Sequence, residues 1–411
     1  MVNNILIISS DFTGHGHKSI SESLLEKFKE NKNVKIHIVD GFSLGGNILL
    51  KVGKAYGPIT RKSESLWELI WDISFAKPSL INEIIELKIK DSFLELLNNI
   101  KPDLILTIHP NFNGSILNIL DKYDIKIPVV TLIADLVSIS PLWADPRDSY
   151  IISPTQEAKE KCISFGVPEK NIEILGFPVR SRFYRHTNNN DDNMNYSTYK
   201  PLNCLIMSGG EGVGNMQKIA ETLLDNFNCT VKIVAGRNAA LKKKLQESLA
   251  GRYGNRAEIY GFTKNIQDLM QASDIAFTRG SPNVMMEAIA CNVPLIITGA
   301  LPGQEKENPT FAEKYNLGVV CTDIKDIKGI INDLIANNAE KLNKIKNSQR
   351  IYSNPYIAEN IVNFILNIDT FPKDAILENL NASFLINSNV PISHKYLENF
   401  KATILRKPKH D

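Results

Sequence analysis

Two histidines alternate with two glycines near the start of the chain, in the stretch ISSDFTGHGHKSISESLL at 8–25. A glycine turn between a strand and a helix commonly binds phosphate through backbone N–H groups alone, and such binding has no use for imidazole. A reaction that removes a proton from a substrate does need such a group, because neutral imidazole accepts protons near pH 7. His15 and His17 therefore raise the hypothesis that chemistry takes place at this loop.

The same loop invites comparison with a dinucleotide-binding turn. Gly14 and Gly16 supply a G-x-G pair, and Asp40 ends the second predicted strand, where a ribose-binding acid would stand. The third glycine of that pattern is replaced by Ser19, and the pattern has no place for imidazole. A second glycine loop, GGEGVG at 209–214, also lacks the spacing. The sequence thus disfavours a nicotinamide dinucleotide at either loop.

A third stretch, RGSPN at 279–283, stands between an apolar run typical of a buried strand and a helical pattern. Amides exposed at the start of a helix favour phosphate. Glu287 follows one turn into that helix, within reach of sugar hydroxyls, and PGQEKEN presents Gln304, Glu305 and Asn308 together. Taken singly, Glu287 is better explained as a helix-dipole or capping carboxylate, and PGQEKEN as a solvated loop. Their combination favours a nucleotide sugar.

Composition excludes several other classes. The chain has 411 residues, enough for two domains, and a formal net charge of +2, which gives no general electrostatic reason to bind nucleic acid. Five scattered cysteines form no C-x-x-C pair, so we expect neither disulfides nor a zinc site, as in a reducing cytosol. The amino end resembles a first strand rather than a signal peptide, and no apolar run is long enough to span a bilayer.

The elements that position these residues alternate between strand and helix. Apolar runs occur at 4–9, 34–40, 103–109, 129–135 and 150–154, with helical patterns between them. This alternation predicts a parallel sheet covered on both faces, and it restarts after a polar stretch. We therefore predict an α/β fold of two doubly wound, Rossmann-like domains that face each other across a cleft. Ligands of such sheets bind at the carboxyl ends of the strands.

The predicted boundaries follow the polar stretch. The first domain covers 1–185, a linker 186–201, the second domain 202–365, and an extension of unassigned role 366–411.

The motifs resemble those of the monogalactosyldiacylglycerol synthase family, which includes bacterial diacylglycerol glucosyltransferases and is related to the peptidoglycan enzyme that adds N-acetylglucosamine to a lipid carrier. The resemblance rests on SSDFTGHGHKSISESL, LIADLVSISPLW, LGFPVRSRF, MSGGEGVGNM, AGRN, GFTKNIQDLMQASDIAFTRGSPNVMMEA and PGQEKEN, in this order over roughly 4–365. Departures are an extra Phe12, His15 where a small residue is usual, Ala134 where Thr is common, and RGSP where a Lys and glycines are usual.

The resemblance implies a GT-B fold, an acceptor site on the amino-terminal lobe, a UDP-sugar site on the carboxyl-terminal lobe, inversion at carbon 1 and no metal or other cofactor. It assigns the general base to His17 and leaves His15 as a loop side chain. Asp135 would orient His17 or the acceptor, or else cap a loop. The implied donor-binding residues are Gly16, Gly210, Gly212, Arg237, Phe262, Arg279, Gly280, Ser281, Pro282, Asn283, Glu287, Gln304, Glu305 and Asn308.

The substrates expected from the resemblance are UDP-glucose or UDP-galactose and a diacylglycerol-type lipid. Three alternatives stay open: transfer to a small hydrophobic aglycone, a UDP-sugar epimerase on the same fold, and an inactive binding module.

A membrane-contact surface is expected if the acceptor is a lipid. No acidic residue occurs from Gly41 to Ser63, and Trp67, Trp71 and Phe75 then follow at helical spacing. The basic residues of that segment are Lys51, Lys54, Arg61 and Lys62. Aromatic residues beside basic ones favour an anionic membrane surface, whereas core packing explains the aromatic stripe equally well. The first interpretation places the protein in the cytoplasm, peripherally bound to the inner face of the cell membrane.

Overall fold

The computed structural model describes residues 2–11, 13, 16–31, 33–184, 196–207 and 215–370, apart from the side chains of residues 61 and 62. The predictions that lie outside the described residues concern His15, Gly210, Gly212, residues 186–195 of the linker and residues 371–411 of the extension.

The first sheet has six parallel strands in the order β2-β1-β3-β4-β5-β6. The strands are β1 Asn4–Ser9, β2 Lys35–Asp40, β3 Leu104–Thr107, β4 Val129–Leu132, β5 Tyr150–Ser153 and β6 Ile172–Ile174. β3 and β4 are buried along their whole length, because helices cover both faces of the sheet.

The second sheet also has six parallel strands, in the order β12-β11-β10-β7-β8-β9. The strands are β7 Leu202–Met207, β8 Cys229–Val234, β9 Ala257–Tyr260, β10 Ile275–Thr278, β11 Leu295–Ile297 and β12 Gly318–Val320. In reverse this is the 3-2-1-4-5-6 strand order of nucleotide-binding folds.

Fifteen helices complete the described part of the chain. Those of the first half are α1 Gly16–Phe28, α2 Gly41–Leu44, α3 Gly46–Lys62, α4 Glu64–Ala76, α5 Pro78–Ile100, α6 Pro110–Lys122 and α7 Gln156–Ser164. Those of the second half are α8 Met216–Asn226, α9 Ala239–Leu245, α10 Gly251–Tyr253, α11 Ile266–Gln271, α12 Pro282–Ala290, α13 Asn308–Lys314, α14 Ile327–Tyr352 and α15 Ile357–Leu366.

The two sheets confirm the predicted fold class of two doubly wound, Rossmann-like halves. The differences lie at the ends of elements. α1 begins at Gly16 and not at Ser19 as the helical pattern indicated, so His17 lies inside its first turn. β6 and β12, each of three residues, were not predicted, because such short strands carry too few apolar positions to show a pattern.

Three clusters of buried apolar side chains hold the molecule together. One cluster contains residues of both sheets, including Ile5 of β1, Leu205 of β7 and Met285 of α12. α15 contributes Ile361 and Ile365 to this cluster, so the last described helix packs on the first half of the chain. Burying these side chains contributes roughly 1.5–3 kcal/mol each.

The strand orders place the loops of interest at one crevice in each sheet. In such sheets the ligand crevice lies beyond the carboxyl ends of the strands where the order reverses. In the first sheet this point is between β1 and β3, which lead into α1 and into Ile108 and His109. In the second sheet it is between β7 and β10, and β10 leads into α12. Within the described ranges, no helix is both long and apolar enough to cross a bilayer.

Candidate active site

His17 lies in the first turn of α1, half-buried at the crevice of the first sheet. Its Nδ1 is 2.5 Å from the carbonyl oxygen of Ile108, which can only accept a hydrogen bond. Nδ1 therefore carries the ring proton, and Nε2 keeps its lone pair. Burial lowers the pKa of His17 to about 4, against the raising effect of the Ile108 hydrogen bond. The imidazole is thus neutral at pH 7.

A second histidine, His109, lies next to His17, with the ring centroids 4.6 Å apart. His109 precedes α6, and its Nδ1 accepts from the backbone N–H of Asn111 at 3.3 Å. Its Nε2 then donates to the hydroxyl of Thr13 at 3.1 Å. Burial, together with the neighbouring His17, lowers the pKa of His109 well below its ordinary value. The sequence shows His109 only as a polar end of a buried strand, so its place at the site was not predicted.

Asp135 is buried beyond the end of β4 and bridges the two halves of the molecule. Its Oδ2 accepts from Nε1 of Trp143 at 2.7 Å, and its Oδ1 accepts from Nε2 of Gln304 at 2.9 Å. Burial raises the pKa of Asp135 to about 6, against both hydrogen bonds. Its described hydrogen-bond partners are therefore the side chains of Trp143 and of the loop residue Gln304, and not His17. Asp135 reaches His17 only through Trp143, whose ring lies 6.2 Å from the imidazole.

Glu287 of α12 is buried and faces the first half of the chain. Its Oε1 accepts from Nη2 of Arg180 at 2.6 Å and from the hydroxyl of Ser19 at 3.0 Å. Burial raises the pKa of this carboxyl, and the charge of Arg180 opposes that rise. Ser19 is the residue that replaces the third glycine of the dinucleotide pattern, and the structure gives it a partner on the opposite lobe.

The first turns of α1 and α12 touch across the cleft. A Cβ atom on Gly16 would overlap the side-chain amide of Asn283, so a larger residue at position 16 would require that side chain to move. Ser281 is the N-cap residue of α12 and Pro282 its first residue, and the Ser281 hydroxyl makes no capping hydrogen bond to a described residue. Two helix N-termini therefore converge beside His17, which is a favourable environment for an anion.

The side chains of Gln304, Glu305 and Asn308 in PGQEKEN make hydrogen bonds within the protein, whereas Lys306 of the same loop is exposed. Oε2 of Glu305 accepts from the backbone N–H of Leu301 at 2.8 Å, and Nδ2 of Asn308 donates to the carbonyl of Gly280 at 2.7 Å. Gln304 reaches Asp135, as given above. The buried atoms that find no partner among the described residues include Arg279 Nε, Gln304 Oε1 and Asn308 Oδ1. Such orphaned groups mark places where a polar ligand would be stabilised.

Arg279, at the end of β10, makes an ion pair with Glu64 at the start of α4, with Nη2 3.0 Å from Oε1. Farther along the same edge, the guanidinium of Arg237 lies over the ring of Phe262, 4.8 Å from its centroid. Phe262 is 53% exposed, which leaves ring surface for a ligand to stack on.

The aromatic stripe on α4 faces the protein more than the solvent. Trp67 packs edge-on against Tyr56, and Phe75 packs edge-on against Phe165. Trp71 covers Gly303, whose φ of +74° and lack of Cβ permit the contact. These contacts favour the core-packing interpretation for Trp67 and Trp71. Phe75 stays 47% exposed.

The opposite face of α4 is apolar and exposed, together with one face of each neighbouring helix. We call this the apolar helical surface. Its residues are Ile48 and Val52 of α3, Leu66, Leu69, Ile70 and Ile73 of α4, and Leu80, Ile84 and Leu87 of α5. The sequence contains the signal, since positions 66, 69, 70 and 73 have helical spacing, but the aromatic residues drew attention to the other face.

No cluster of three or more His, Cys, Asp or Glu side chains that could hold a metal ion occurs in the described part of the chain. Positive charge for an anionic ligand is available from the helix N-termini and from the Arg279 guanidinium.

Comparison with known proteins decides between enzyme classes that share this fold. Residues 17–179 match the family model for monogalactosyldiacylglycerol (MGDG) synthase, and residues 213–337 match the model for glycosyl transferases group 1. The protein is a glycosyltransferase. The resemblance deduced from the motifs is thereby confirmed.

Curated relatives agree along most of the chain. Monogalactosyldiacylglycerol synthase 3 of Arabidopsis thaliana is 26% identical over 388 residues, which cover 88% of this chain and 80% of that protein. Processive diacylglycerol beta-glucosyltransferase of Bacillus cereus is 25% identical over 373 residues, which cover 88% of this chain and 93% of that protein.

Solved structures confirm the GT-B architecture. MurG of Acinetobacter baumannii superposes with a TM-score of 0.56 at 13% identity, over 89% of this chain and 100% of that one. The UDP-GlcNAc 2-epimerase of Neisseria meningitidis superposes with a TM-score of 0.58 at 16% identity, again over 89% of this chain and 100% of that one. The fold is therefore common to transferases and epimerases, and the glycosyltransferase assignment rests on the family models and the curated relatives.

Proposed function

We propose that this glycosyltransferase moves a hexose from UDP-glucose or UDP-galactose to the free hydroxyl of a diacylglycerol-type lipid, with inversion at the anomeric carbon. The observation that carries the proposal is the convergence of His17 with two helix N-termini at the crevices of both sheets. The relatives named as acting on diacylglycerol support the choice of acceptor.

His17 is the proposed general base. With Nδ1–H donated to Ile108, the lone pair on Nε2 takes the proton of the acceptor hydroxyl. The hydroxyl oxygen then attacks carbon 1 of the sugar, and the bond from carbon 1 to the diphosphate oxygen breaks. Its electron pair leaves with UDP. A bound diphosphate adds negative charge near the ring, which raises the pKa of His17 from its low value toward a range suited to proton transfer.

The leaving diphosphate is proposed to lie between the first turns of α1 and α12. Backbone N–H groups at both helix starts point into this space, and each macrodipole favours negative charge there. Arg279 supplies a full positive charge at the end of β10, and its buried Nε has no partner among the described residues. Helix amides and one guanidinium thus replace the solvation that the charged leaving group loses.

The remaining parts of the donor have candidate partners along the second crevice. Glu287 is proposed to accept a hydrogen bond from the ribose, and the exposed ring of Phe262, backed by Arg237, offers a stacking surface for the uracil. The unpartnered oxygens of Gln304 and Asn308 are suited to accept from hexose hydroxyls.

The acceptor is proposed to reach the first half of the molecule from a membrane. The apolar helical surface provides nine exposed aliphatic side chains on three adjacent helices, and Lys51 and Lys54 of α3 are exposed beside Val52. Aliphatic side chains flanked by lysines favour an anionic bilayer surface. The proposed location is therefore the inner face of the cell membrane, where the first half of the chain contacts lipid and the second half holds the UDP-sugar.

The test is incubation of the protein with radiolabelled UDP-glucose or UDP-galactose and vesicles that contain diacylglycerol. We expect label in the organic phase and, by NMR of the product, an anomeric configuration opposite to that of the donor. Label in a different UDP-sugar would instead assign an epimerase. Label transferred only to added small hydrophobic alcohols would assign an aglycone transferase, and absence of any conversion would assign a binding module.

A further inference from the structure

Arg180 stands where the chain leaves the first sheet, in the stretch LGFPVRSRF, and it was not among the residues predicted for the site. We propose that Arg180 is a positioning residue, which aims the Glu287 carboxylate at the donor ribose and makes donor binding depend on contact between the two lobes. The inference rests on the proposed function, in which Glu287 is the ribose ligand.

Three contacts fix the Arg180 guanidinium. Nη2 is 2.6 Å from Oε1 of Glu287, and Nη1 is 3.0 Å from Oε2 of Glu22 in α1. The guanidinium plane also lies over the ring of Phe183, 5.0 Å from its centroid. The Arg180 side chain is 15% exposed and that of Glu287 10%, so water screens this ion pair little, whereas the Glu22 side chain is 41% exposed. A planar fork held on two carboxylates and one ring has a single orientation.

The contacts to Glu287 are one-sided. Arg180 and the Ser19 hydroxyl both donate to Oε1, and within the described residues Oε2 accepts no hydrogen bond. A carboxylate held by one oxygen is oriented and still offers its other oxygen to a hydroxyl donor. A ribose hydroxyl is such a donor, and the hydrogen bond it makes to an ionised carboxylate is of the stronger, charge-assisted kind.

Arg180 also keeps Glu287 ionised. Burial raises the pKa of the Glu287 carboxyl, while the charges of Arg180 and Arg182 and the Ser19 hydrogen bond lower it. The charged groups that face this carboxylate are Arg180 and Arg182, which lie between β6 and β7. Glu22 of α1 lies on the far side of Arg180. Burial already outweighs the Arg180 charge, so without that charge the pKa of Glu287 rises further and the carboxylate takes up a proton at higher pH.

The residues that hold Glu287 all belong to the other half of the molecule. Ser19 and Glu22 lie in α1, and Arg180 follows β6, whereas Glu287 lies in α12 of the second sheet. When the lobes separate, Glu287 loses both its cation and its hydroxyl donor. Donor affinity is thereby linked to lobe contact, since the state with the lobes in contact is the one that presents an ionised, oriented carboxylate.

The test measures UDP affinity by calorimetry from pH 5 to 8.5 for the full chain and three variants. In Arg180→Gln we expect UDP to bind about tenfold more weakly at pH 7.5 and the acid-side loss of affinity to begin at higher pH than in the unmodified protein. In Arg180→Lys we expect weaker UDP binding, but the acid limb of the pH profile, which is the range where affinity falls as the pH decreases, should stay near its original position because the positive charge remains.

The ionisation of UDP affects the unmodified protein and every variant equally, so it does not contribute to the difference between their pH profiles. Arg252→Gln, which removes an exposed ion pair with Asp225, is the matched control and should change neither quantity.

An unshifted acid limb in Arg180→Gln, or an equal shift in Arg180→Lys, overturns the positioning role. Arg180→Lys keeps the proposal testable if Arg180→Gln does not fold. Glu287→Gln separates this inference from the proposed function: if that variant binds UDP as tightly as the unmodified protein, the ribose assignment itself fails. If Glu287→Gln weakens binding and the Arg180 variants leave the acid limb in place, only the inference about Arg180 fails.

Discussion

At His17, a backbone carbonyl decides which ring nitrogen carries the proton. The 2.5 Å contact to Ile108 fixes the tautomer and leaves the lone pair on Nε2 for the acceptor hydroxyl of the proposed reaction. Burial keeps the ring neutral throughout the physiological range of pH. In many enzymes a carboxylate accepts the hydrogen bond from the second ring nitrogen of the catalytic histidine. Here the carbonyl of Ile108 accepts it, and the carboxylate of Asp135 accepts hydrogen bonds from Trp143 and Gln304 instead.

We expect His17→Ala to lower the turnover number by at least about 10²-fold, because general base catalysis commonly contributes 10²- to 10⁴-fold. UDP affinity should change little, since most of the proposed donor contacts come from the second half of the chain. Steady-state transfer kinetics and calorimetry with UDP measure the two effects. His15→Gly is the matched control and should keep most of the activity; a dead His15→Gly beside an active His17→Ala would reverse the assignment.

At the scale of elements, α4 has two faces with different tasks. One face packs Trp67 and Trp71 on the protein and joins Arg279 through Glu64, so α4 lies against the proposed donor site. The other face carries Leu66, Leu69, Ile70 and Ile73 of the apolar helical surface. A soluble monomer rarely exposes so many neighbouring aliphatic side chains without a partner.

We expect the double variant Leu69→Asp, Ile73→Asp to reduce binding to anionic vesicles at least tenfold, because it replaces two exposed aliphatic side chains that would contact the bilayer with charges that the anionic surface repels. Vesicle sedimentation at low and high salt measures the loss, and binding by the unmodified protein should fall as salt rises. Ile351→Asp, at a 79% exposed position of α14, is the matched control and should bind like the unmodified protein. Equal binding by both variants would exclude this surface.

At the scale of the whole molecule, polar contacts join the lobes along one rim. Gln304 donates to Asp135, Ser138 donates to Glu307 at 3.1 Å, and Lys314 reaches Glu157 at 2.6 Å. Asp135 differs from the others because it is buried and its pKa is raised from 3.8 to about 6. Its ionised form therefore opposes folding at neutral and alkaline pH.

We expect Asp135→Asn to stabilise the protein at pH 8. The folded pKa lies above the unfolded one, so the cost of the charge is fully present above about pH 6, falls as the pH decreases, and is absent below about pH 4. The free energy of unfolding should rise by at most about 3 kcal/mol at pH 8, from a shift of about two pKa units, and the gain should vanish near pH 4. Denaturant titrations at both values of pH measure this. A variant less stable than the unmodified protein at pH 8 would contradict the argument.

Several features of this protein follow from the sequence alone. The alternation of strand and helix patterns predicts the two sheets. The spacing of apolar residues along an element depends only on which of its faces are buried, so it can be read from the sequence. The loop motifs predict His17, the glycine turn and Glu287 as site residues, since a helix start that follows a strand in a parallel sheet is a favourable place for an anion. The motifs in their order along the chain also point to the glycosyltransferase class, which the family models confirm.

The tertiary structure decided what those residues touch. Strand order brings β1 beside β3, which places His109 against His17, whereas the packing of the two lobes on each other places α12 opposite α1. No local pattern shows that Arg180 holds Glu287, or that Trp71 covers Gly303, because these contacts join segments 107 or more residues apart in the chain. Local periodicity specifies which face of an element is apolar; which partner covers that face is fixed only when the sheets and lobes have assembled.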